Sequence, residues 1–375
     1  MVEPMIDVVV SARPNFMKVA PVLRSLRTHR VETRLIHTGQ HFDAAMSEVF
    51  FRDLELPPPD LNLGCGNGSH AEQTAAILVA VERALIEQRP DLLVVAGDVT
   101  GTLAASLAAA KLGIPIAHIE AGLRSRNWAM PEEINRVLTD RLSQLLLTPS
   151  RDAEANLRAE GIDPARVTFV GNVMIDSLHR ALARPTDILD RLAVASGSYA
   201  LVTLHRPANV DARETLQATI SVIESIAARL PVFFSIHPRT RARLESLDLS
   251  ARLDRVAGLT SLPPLGYDDF VTLMRHARLV ATDSGGIQEE TTALGIPCLT
   301  LRDETERPIT VIEGTNRVVG LSDVTVGQAV DESLAGRSKT GRVPEGWDGH
   351  AGERIAQALL SFVRNREIQR QRRFD

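Results

Sequence analysis

Short apolar runs alternate with longer amphipathic stretches along most of the chain, the pattern expected of parallel β-sheets covered by helices. In the first half the runs Ile6 to Val10, Val31 to Ile36, Leu92 to Val95, Pro115 to Ile119, Leu145 to Leu147 and Val167 to Val170 predict strands. In the second half Ala200 to Leu204, Val232 to Ile236, Leu279 to Ala281 and Cys298 to Leu301 do the same. Between the halves, Leu178 to Ser198 contains Pro185 and Gly197 and no strong strand signal, which puts a linker inside or just before it. The expectation is α/β: two Rossmann-like domains, residues 1–172 and 173–352, whose parallel sheets face an interdomain crevice. An arginine-rich last helix, about Glu353 to Arg370, packs back to join 353–375 to the first domain. A short internal echo fits two similar halves. The first strand ends in Ala12-Arg13-Pro14-Asn15, the strand near Leu201 in His205-Arg206-Pro207-Ala208-Asn209, and each leads into a helix.

A length of 375 residues fits about two domains, and 44% hydrophobic residues suffice for a core in each. No segment approaches the roughly twenty apolar residues of a membrane helix, and Asp7 interrupts the first apolar run. The chain therefore reads as cytoplasmic, without a signal peptide. Its two cysteines, Cys65 and Cys298, read as reduced bystanders, and no zinc-ligand spacing exists, so no metal is expected. A net charge of -5 with interspersed signs argues against nucleic acid or an anionic membrane as the main partner. It leaves room for an anionic small molecule held by local arginines.

Such a ligand has an obvious cradle. Leu279 to Glu290 reads as a buried strand that breaks at Ser284-Gly285-Gly286 into a helix start. A helix N-terminus offers unpaired amides and a positive dipole end, and glycine lets a phosphate approach the backbone. Glu290, one turn on, can accept hydrogen bonds from sugar hydroxyls. The plain alternative is a capped helix with no ligand.

Carboxylates collect at strand ends in the first half. Leu92 to Val95 runs into Gly97-Asp98, and Pro115 to Ile119 runs into Glu120-Ala121-Gly122-Leu123-Arg124. In open α/β sheets ligands bind outside the carboxyl ends of strands, so Asp98 and Glu120 are candidates for chemistry. Asp98 could instead cap the next helix. Glu132 and Glu133 follow Pro131, where first-turn acids favour the helix dipole on their own account. Three carboxylates near one site repel, which raises at least one pKa and supplies both a proton donor and a base near neutral pH. Arg13 suits a phosphate, and Lys18 is either a ligand or a solvated helix residue. His205 and His237 end strands in the second half and are either functional or satisfied core histidines. Arg307, in Thr305-Glu306-Arg307-Pro308, is a crevice cation or half of a loop ion pair.

Taken together, these motifs resemble those of the UDP-N-acetylglucosamine 2-epimerase family. The match runs from about Val8 to Gly320 through Arg13 to Lys18, Thr38 to His41, Gly97 to Thr100, His118 to Arg124, Pro131 to Arg136, Gly171-Asn172, His205 to Pro207, Ser284 to Glu290 and Thr305 to Pro308. The resemblance implies the two-domain glycosyltransferase-B architecture, a homodimer, no cofactor, and UDP-N-acetylglucosamine and UDP as ligands, in polysaccharide biosynthesis. It implies inversion at C2 of the sugar by elimination of UDP to a 2-acetamidoglucal and re-addition. Carried over by motif, Asp98, Glu120 and Glu132 are the acid-base carboxylates, and His205 with Arg13 assists the departing diphosphate. Ser284, Gly285 and Gly286 cradle phosphates, Glu290 holds the ribose, Phe270 borders the uracil, and Lys18 and Arg307 complete the polar shell.

Departures qualify that transfer. Ser11-Ala12 replaces the Gly-Thr of many members, and Leu265 stands where some have a polar residue on the uracil side. Of the pattern for a second, activating nucleotide sugar, Gln40, Arg206 and His237 match, whereas Asp43 and Gly64 to His70 do not. Alternative outcomes are hydrolysis to free N-acetylmannosamine and UDP, action on a UDP-diacetamido-glucuronate, and a glycosyltransferase or binding module of the same architecture. Arg307-Pro308, where the diacetamido relatives tend to place Trp, favours the simpler substrate.

Overall fold

The computed structural model describes residues 4–11, 13–39, 56–66 and 68–371, and side chains throughout these except at 13, 14 and 369–371. The chain divides into two compact units, one of residues 1–177 with 345–375 and one of residues 178–344.

The first unit holds a seven-stranded, all-parallel sheet. Its strands are β1 (Met5–Val10), β2 (Glu32–His37), β3 (Leu61–Asn62), β4 (Leu92–Ala96), β5 (Ile116–Ile119), β6 (Leu145–Thr148) and β7 (Val167–Phe169), in the order β3-β2-β1-β4-β5-β6-β7. The second holds six: β8 (Ala200–Thr203), β9 (Val232–Ser235), β10 (Leu259–Leu262), β11 (Leu279–Thr282), β12 (Cys298–Thr300) and β13 (Asn316–Val318), ordered β10-β9-β8-β11-β12-β13. Both sheets are wound outward from a central pair, β1/β4 and β8/β11, with every pairing parallel. This is the Rossmann winding, and a ligand crevice opens where the order reverses, at the carboxyl ends of those central strands.

The central strands form because they are almost wholly aliphatic. Val8, Val10 and Leu92 to Val95 are fully buried, as are Leu201, Val202, Val280 and Ala281, because helices cover both faces of each sheet. Each unit has a core of its own. Ile77, Val81, Leu85, Leu93, Val95 and Ile116 belong to one cluster, and Val202, Ile220, Ile223, Phe234, Leu279 and Leu301 to another. Local signals set the helix ends. Ser69 and Glu72 form a reciprocal capping box for His70–Glu87, and Pro131 opens Pro131–Leu142. The last helix, Ala351–Gln371, belongs to the first unit and lies along helix Arg13–Thr28, where Asp176 receives the amides of Ala351 and Gly352 at its start.

Candidate functional site

In the first unit the loops after β1, β4 and β5 converge. Lys18 lies one turn into helix Arg13–Thr28 and is buried, with its Nζ paired to Glu120 Oε2. It is therefore not a solvated helix residue. Glu120 follows β5 in a left-handed backbone conformation, φ 72°, which costs a residue with a Cβ about 1–3 kcal/mol and persists only where the surroundings impose it. Its amide and that of Ala121 both donate to the Leu147 carbonyl, at 3.1 Å each. Gly97, after β4, has φ 69°, and a Cβ there would stand 2.8 Å from Lys18 Nζ and 3.4 Å from Glu120 Oε2. Glycine is thus required where the Lys18–Glu120 pair backs onto the chain immediately before Asp98.

Asp98 does not occupy the N-cap position of the following helix. Val99 is the N-cap of Thr100–Lys111 and forms no side-chain cap bond, while the Asp98 carboxylate pairs with Arg136 Nη2. The other arm of Arg136 reaches Glu133 Oε2 at 2.6 Å, and Asn135 Nδ2 donates to the Asp98 carbonyl at 2.8 Å. Where the sequence suggested carboxylates repelling one another, cations are interposed: Lys18 on Glu120, Arg136 on Asp98 and Glu133. The paired glutamates of this helix separate by role. Glu133 is buried and accepts from the Ser125 and Arg126 amides and the Ser125 hydroxyl, each at 2.9 Å, and these bonds hold its carboxyl below the usual range against the upward push of burial. Glu132 stands half-buried in the first turn.

In the second unit His205 follows β8 and Asp283 follows β11, its parallel neighbour. The buried Asp283 carboxylate accepts from the His205 and Arg206 amides and from Asn209 Nδ2, and lies 3.0 Å from His205 Nδ1. Burial pushes this carboxyl up, but the His205 contact and the backbone amides prevail and hold it below its ordinary value. The His237 ring packs 5.3 Å from that of His205, and its Nδ1 accepts the Arg239 amide as cap of helix Pro238–Ser246.

Helix Gly285–Leu294 begins directly after Asp283-Ser284, and Ser284 is its N-cap with no side-chain cap bond. The amides of Gly285, Gly286 and Ile287, in the first turn, have no acceptor within the helix. A Cβ on Gly285 would stand 2.8 Å from Glu306 Oε1, so the buried Glu306 presses against this turn. Glu306 gathers Arg302 at 2.7 Å, Arg206 at 3.1 Å and, more distantly, Arg307 at 3.9 Å; Arg307 is itself paired with Glu289 at 2.7 Å. Glu290 is buried, and Tyr267 Oη donates to its Oε1 at 2.6 Å. Burial pushes the Glu290 carboxyl up to about 7, in spite of that hydrogen bond. Phe270 stands half-buried on the same helix as Tyr267, Tyr267–Arg275.

The structure thus joins Lys18, Glu120 and Asp98 in one unit, and His205 with the Ser284 to Gly286 turn in the other. The Arg13 side chain and Gln40 lie outside the described residues. Partners that the quoted stretches contained without revealing their use are Arg136, Asp283 and Glu306, and Tyr267 lay outside them. Asp283 carried the best signal, standing at a strand end directly before the glycine turn. Among the described residues no helix is long and apolar enough to cross a membrane, and no group of three or more His, Cys, Asp or Glu could hold a metal ion.

Several nucleotide-sugar epimerases are similar to this chain over nearly its full length. The chain is 40% identical over 364 residues to a UDP-N-acetylglucosamine 2-epimerase of Methanocaldococcus jannaschii, covering 94% of this chain and 98% of that one. It is 39% identical over 359 residues to the UDP-2,3-diacetamido-2,3-dideoxy-D-glucuronate 2-epimerase of Pseudomonas aeruginosa, covering 94% and 99%. The M. jannaschii enzyme in complex with UDP-GlcNAc and UDP superposes with a TM-score of 0.89 at 39% identity, over 95% of this chain and 99% of that one. The Neisseria meningitidis enzyme bound to UDP-GlcNAc gives 0.85 at 31% identity, over 95% and 100%. The sequence model of the family matches residues 24–360, and the chain belongs to the UDP-N-acetylglucosamine 2-epimerase family.

Proposed function

We propose that the protein interconverts UDP-N-acetylglucosamine and UDP-N-acetylmannosamine without cofactor. A carboxylate removes the C2 proton, the bond from C1 to the UDP oxygen breaks, and a C1–C2 double bond forms. UDP oxygen then adds back to C1 while a proton reaches C2 on the opposite face. The reading is carried by one observation: Asp98 and Glu120 stand at adjacent strand ends on either side of Gly97, each paired with its own buried cation. Acid-base groups fixed in this way suit a reaction that needs proton transfer on both faces of a ring. We assign proton transfer to Asp98, Glu120 and Glu132. We assign the diphosphate to the first-turn amides after Ser284, with His205, Arg13 and Arg307, the ribose to Glu290, the uracil side to Phe270, and Lys18 to holding Glu120. Gln40, Arg206 and His237 are the residues we assign to any second, activating nucleotide sugar.

Incubation with UDP-N-acetylglucosamine in heavy water tests the reading. Labelled UDP-N-acetylmannosamine with deuterium at C2, in equilibrium with substrate, is expected. Accumulation of free N-acetylmannosamine and UDP would indicate the hydrolysing reaction, and an epimer without C2 label would reject the glucal route. The near-equal identity to the diacetamido-glucuronate enzyme makes that nucleotide sugar the second substrate to assay. We propose a homodimer as the assembly. Val79 and Ile86 on helix His70–Glu87, and Ile134 and Leu138 on Pro131–Leu142, remain exposed, and sedimentation velocity checks the state.

A further inference from the structure

One buried group in the first unit is used by none of the steps above. The imidazole of His118, on β5, is fully buried. Its Nδ1 lies 2.7 Å from Asp140 Oδ1 and its Nε2 2.8 Å from the Gly97 carbonyl oxygen. A carbonyl only accepts, so Nε2 donates to Gly97. Asp140 is an ionised acceptor as well. It receives the Gly122 amide at 3.1 Å and Arg124 Nη1 at 2.8 Å, and although burial pushes its carboxyl up, His118 and Arg124 hold it below the usual range. Both ring nitrogens are thus engaged, Nδ1 with the Asp140 carboxylate and Nε2 with the Gly97 carbonyl.

The two bonds join three segments that carry the proposed acid-base residues. Gly97 immediately precedes Asp98. His118 lies two residues before Glu120 on the strand paired with β4. Asp140 lies on helix Pro131–Leu142, which also carries Glu132 and the Arg136 that pairs with Asp98. Asp140 further fixes the turn just after Glu120 through the Gly122 amide. Sheet hydrogen bonds set the spacing of β4 and β5, whereas helix Pro131–Leu142 is tied to their ends by side chains: Arg136 and Asn135 reach Asp98, Asp140 reaches the Gly122 amide, and His118 bridges the Gly97 carbonyl and Asp140.

We propose that His118 is a positioning residue for the epimerisation, acting through the Gly97 carbonyl and Asp140 to set the mutual placement of Asp98, Glu120 and Glu132 without touching substrate. The inference rests on the functional reading above. A displacement of about 1 Å in such a constellation costs about a hundredfold in rate. Binding of UDP, whose contacts we assign to the second unit apart from Arg13, does not run through these bonds.

His118→Phe keeps the ring volume and removes both hydrogen bonds, and His118→Gln restores a donor toward Gly97. In the full chain His118→Phe is expected to bind UDP with a Kd within about threefold of wild type and to keep KM. Its kcat and rate of C2 deuterium incorporation fall about a hundredfold, measured well below its Tm, and His118→Gln recovers about tenfold of that loss. Asp140→Asn covers the case in which His118→Phe does not fold; it should lower kcat about tenfold or more at unchanged KM. A folded His118→Phe or Asp140→Asn with kcat within threefold of wild type overturns the inference, since a histidine that only fills the core would lower Tm alone. Wild type assayed in parallel separates the failures. An active wild type with active variants sinks the positioning role alone, whereas a wild type that turns over neither nucleotide sugar sinks the functional reading and this inference with it.

Discussion

Asp283 Oδ1 stands 3.0 Å from His205 Nδ1, and the same buried carboxylate receives the amides of His205 and Arg206. The arrangement fixes both the ring and the backbone that carries it. It also presents Nε2, rather than Nδ1, as the nitrogen open to a ligand.

Asp283→Asn should separate these two effects. The amide oxygen still accepts from the backbone, but the NH2 group set against Nδ1 favours the wrong tautomer. Turnover is expected to fall about a hundredfold, the scale of general acid-base assistance, with stability lower by about 1–3 kcal/mol. Steady-state kinetics and thermal unfolding check both. Near-normal turnover in a folded variant would free His205 from any part in the departure of the diphosphate.

For Asp98→Asn we expect the fold and UDP affinity to persist while turnover drops about a hundredfold or more, because Asn keeps an acceptor for Arg136 and loses the base. Circular dichroism, UDP calorimetry and turnover on one preparation decide it. Wild-type turnover would return Asp98 to a purely structural part.

The two glycines of the phosphate turn should respond differently. Gly286 is half-buried in the first turn, and a valine there should obstruct a diphosphate, weakening UDP binding about tenfold or more with little loss of Tm. Any side chain at Gly285 meets Glu306, so Gly285→Val should lower Tm as well, by disturbing the carboxylate that gathers Arg206 and Arg302. Unchanged UDP affinity in a folded Gly286→Val protein would contradict the cradle.

Glu290 makes stability depend on pH in a definite direction. Its folded value near 7 lies above the ordinary 4.5, so between those pH values the folded chain holds the proton that the unfolded chain releases. The stabilisation, about 3 kcal/mol at most, is complete below about pH 4.5 and lost as pH rises through about 7. Against a Glu290→Gln variant, wild type should lose Tm steadily over that window and level off above it. Ribose hydroxyls favour the ionised carboxylate, so UDP binding near pH 7 should release a proton, which calorimetry in buffers of differing ionisation enthalpy detects. Binding without proton release would remove the ribose from Glu290.

The sequence exposed the sheets more fully than their margins. The central strands were legible because both faces are buried and the code is continuously aliphatic. Leu61–Asn62, Leu259–Leu262 and Asn316–Val318 were missed, and all three are edge strands, at most four residues long, with exposed positions that dilute the apolar signal. Within the site, Asp98 and Glu120 were legible from their places at strand ends. Their partners were not, because Arg136 reaches Asp98 across 38 residues and Lys18 reaches Glu120 across 102, and no local pattern encodes such pairing. His118 lay inside a quoted motif, yet nothing in its neighbourhood announced that both its nitrogens were engaged.

The chain leaves the first unit after Ser177 and returns to it at Glu345, with the whole second unit in between. During synthesis the second unit, which is continuous, has its entire sheet available before the first has received the helix that covers Arg13–Thr28. Domains fold as units, so the part made in the middle is complete before the part begun first. Two cores on one chain also bring two sets of buried side chains to the melting of this protein, and a nucleotide held mainly by the second unit would stabilise that core more than the first.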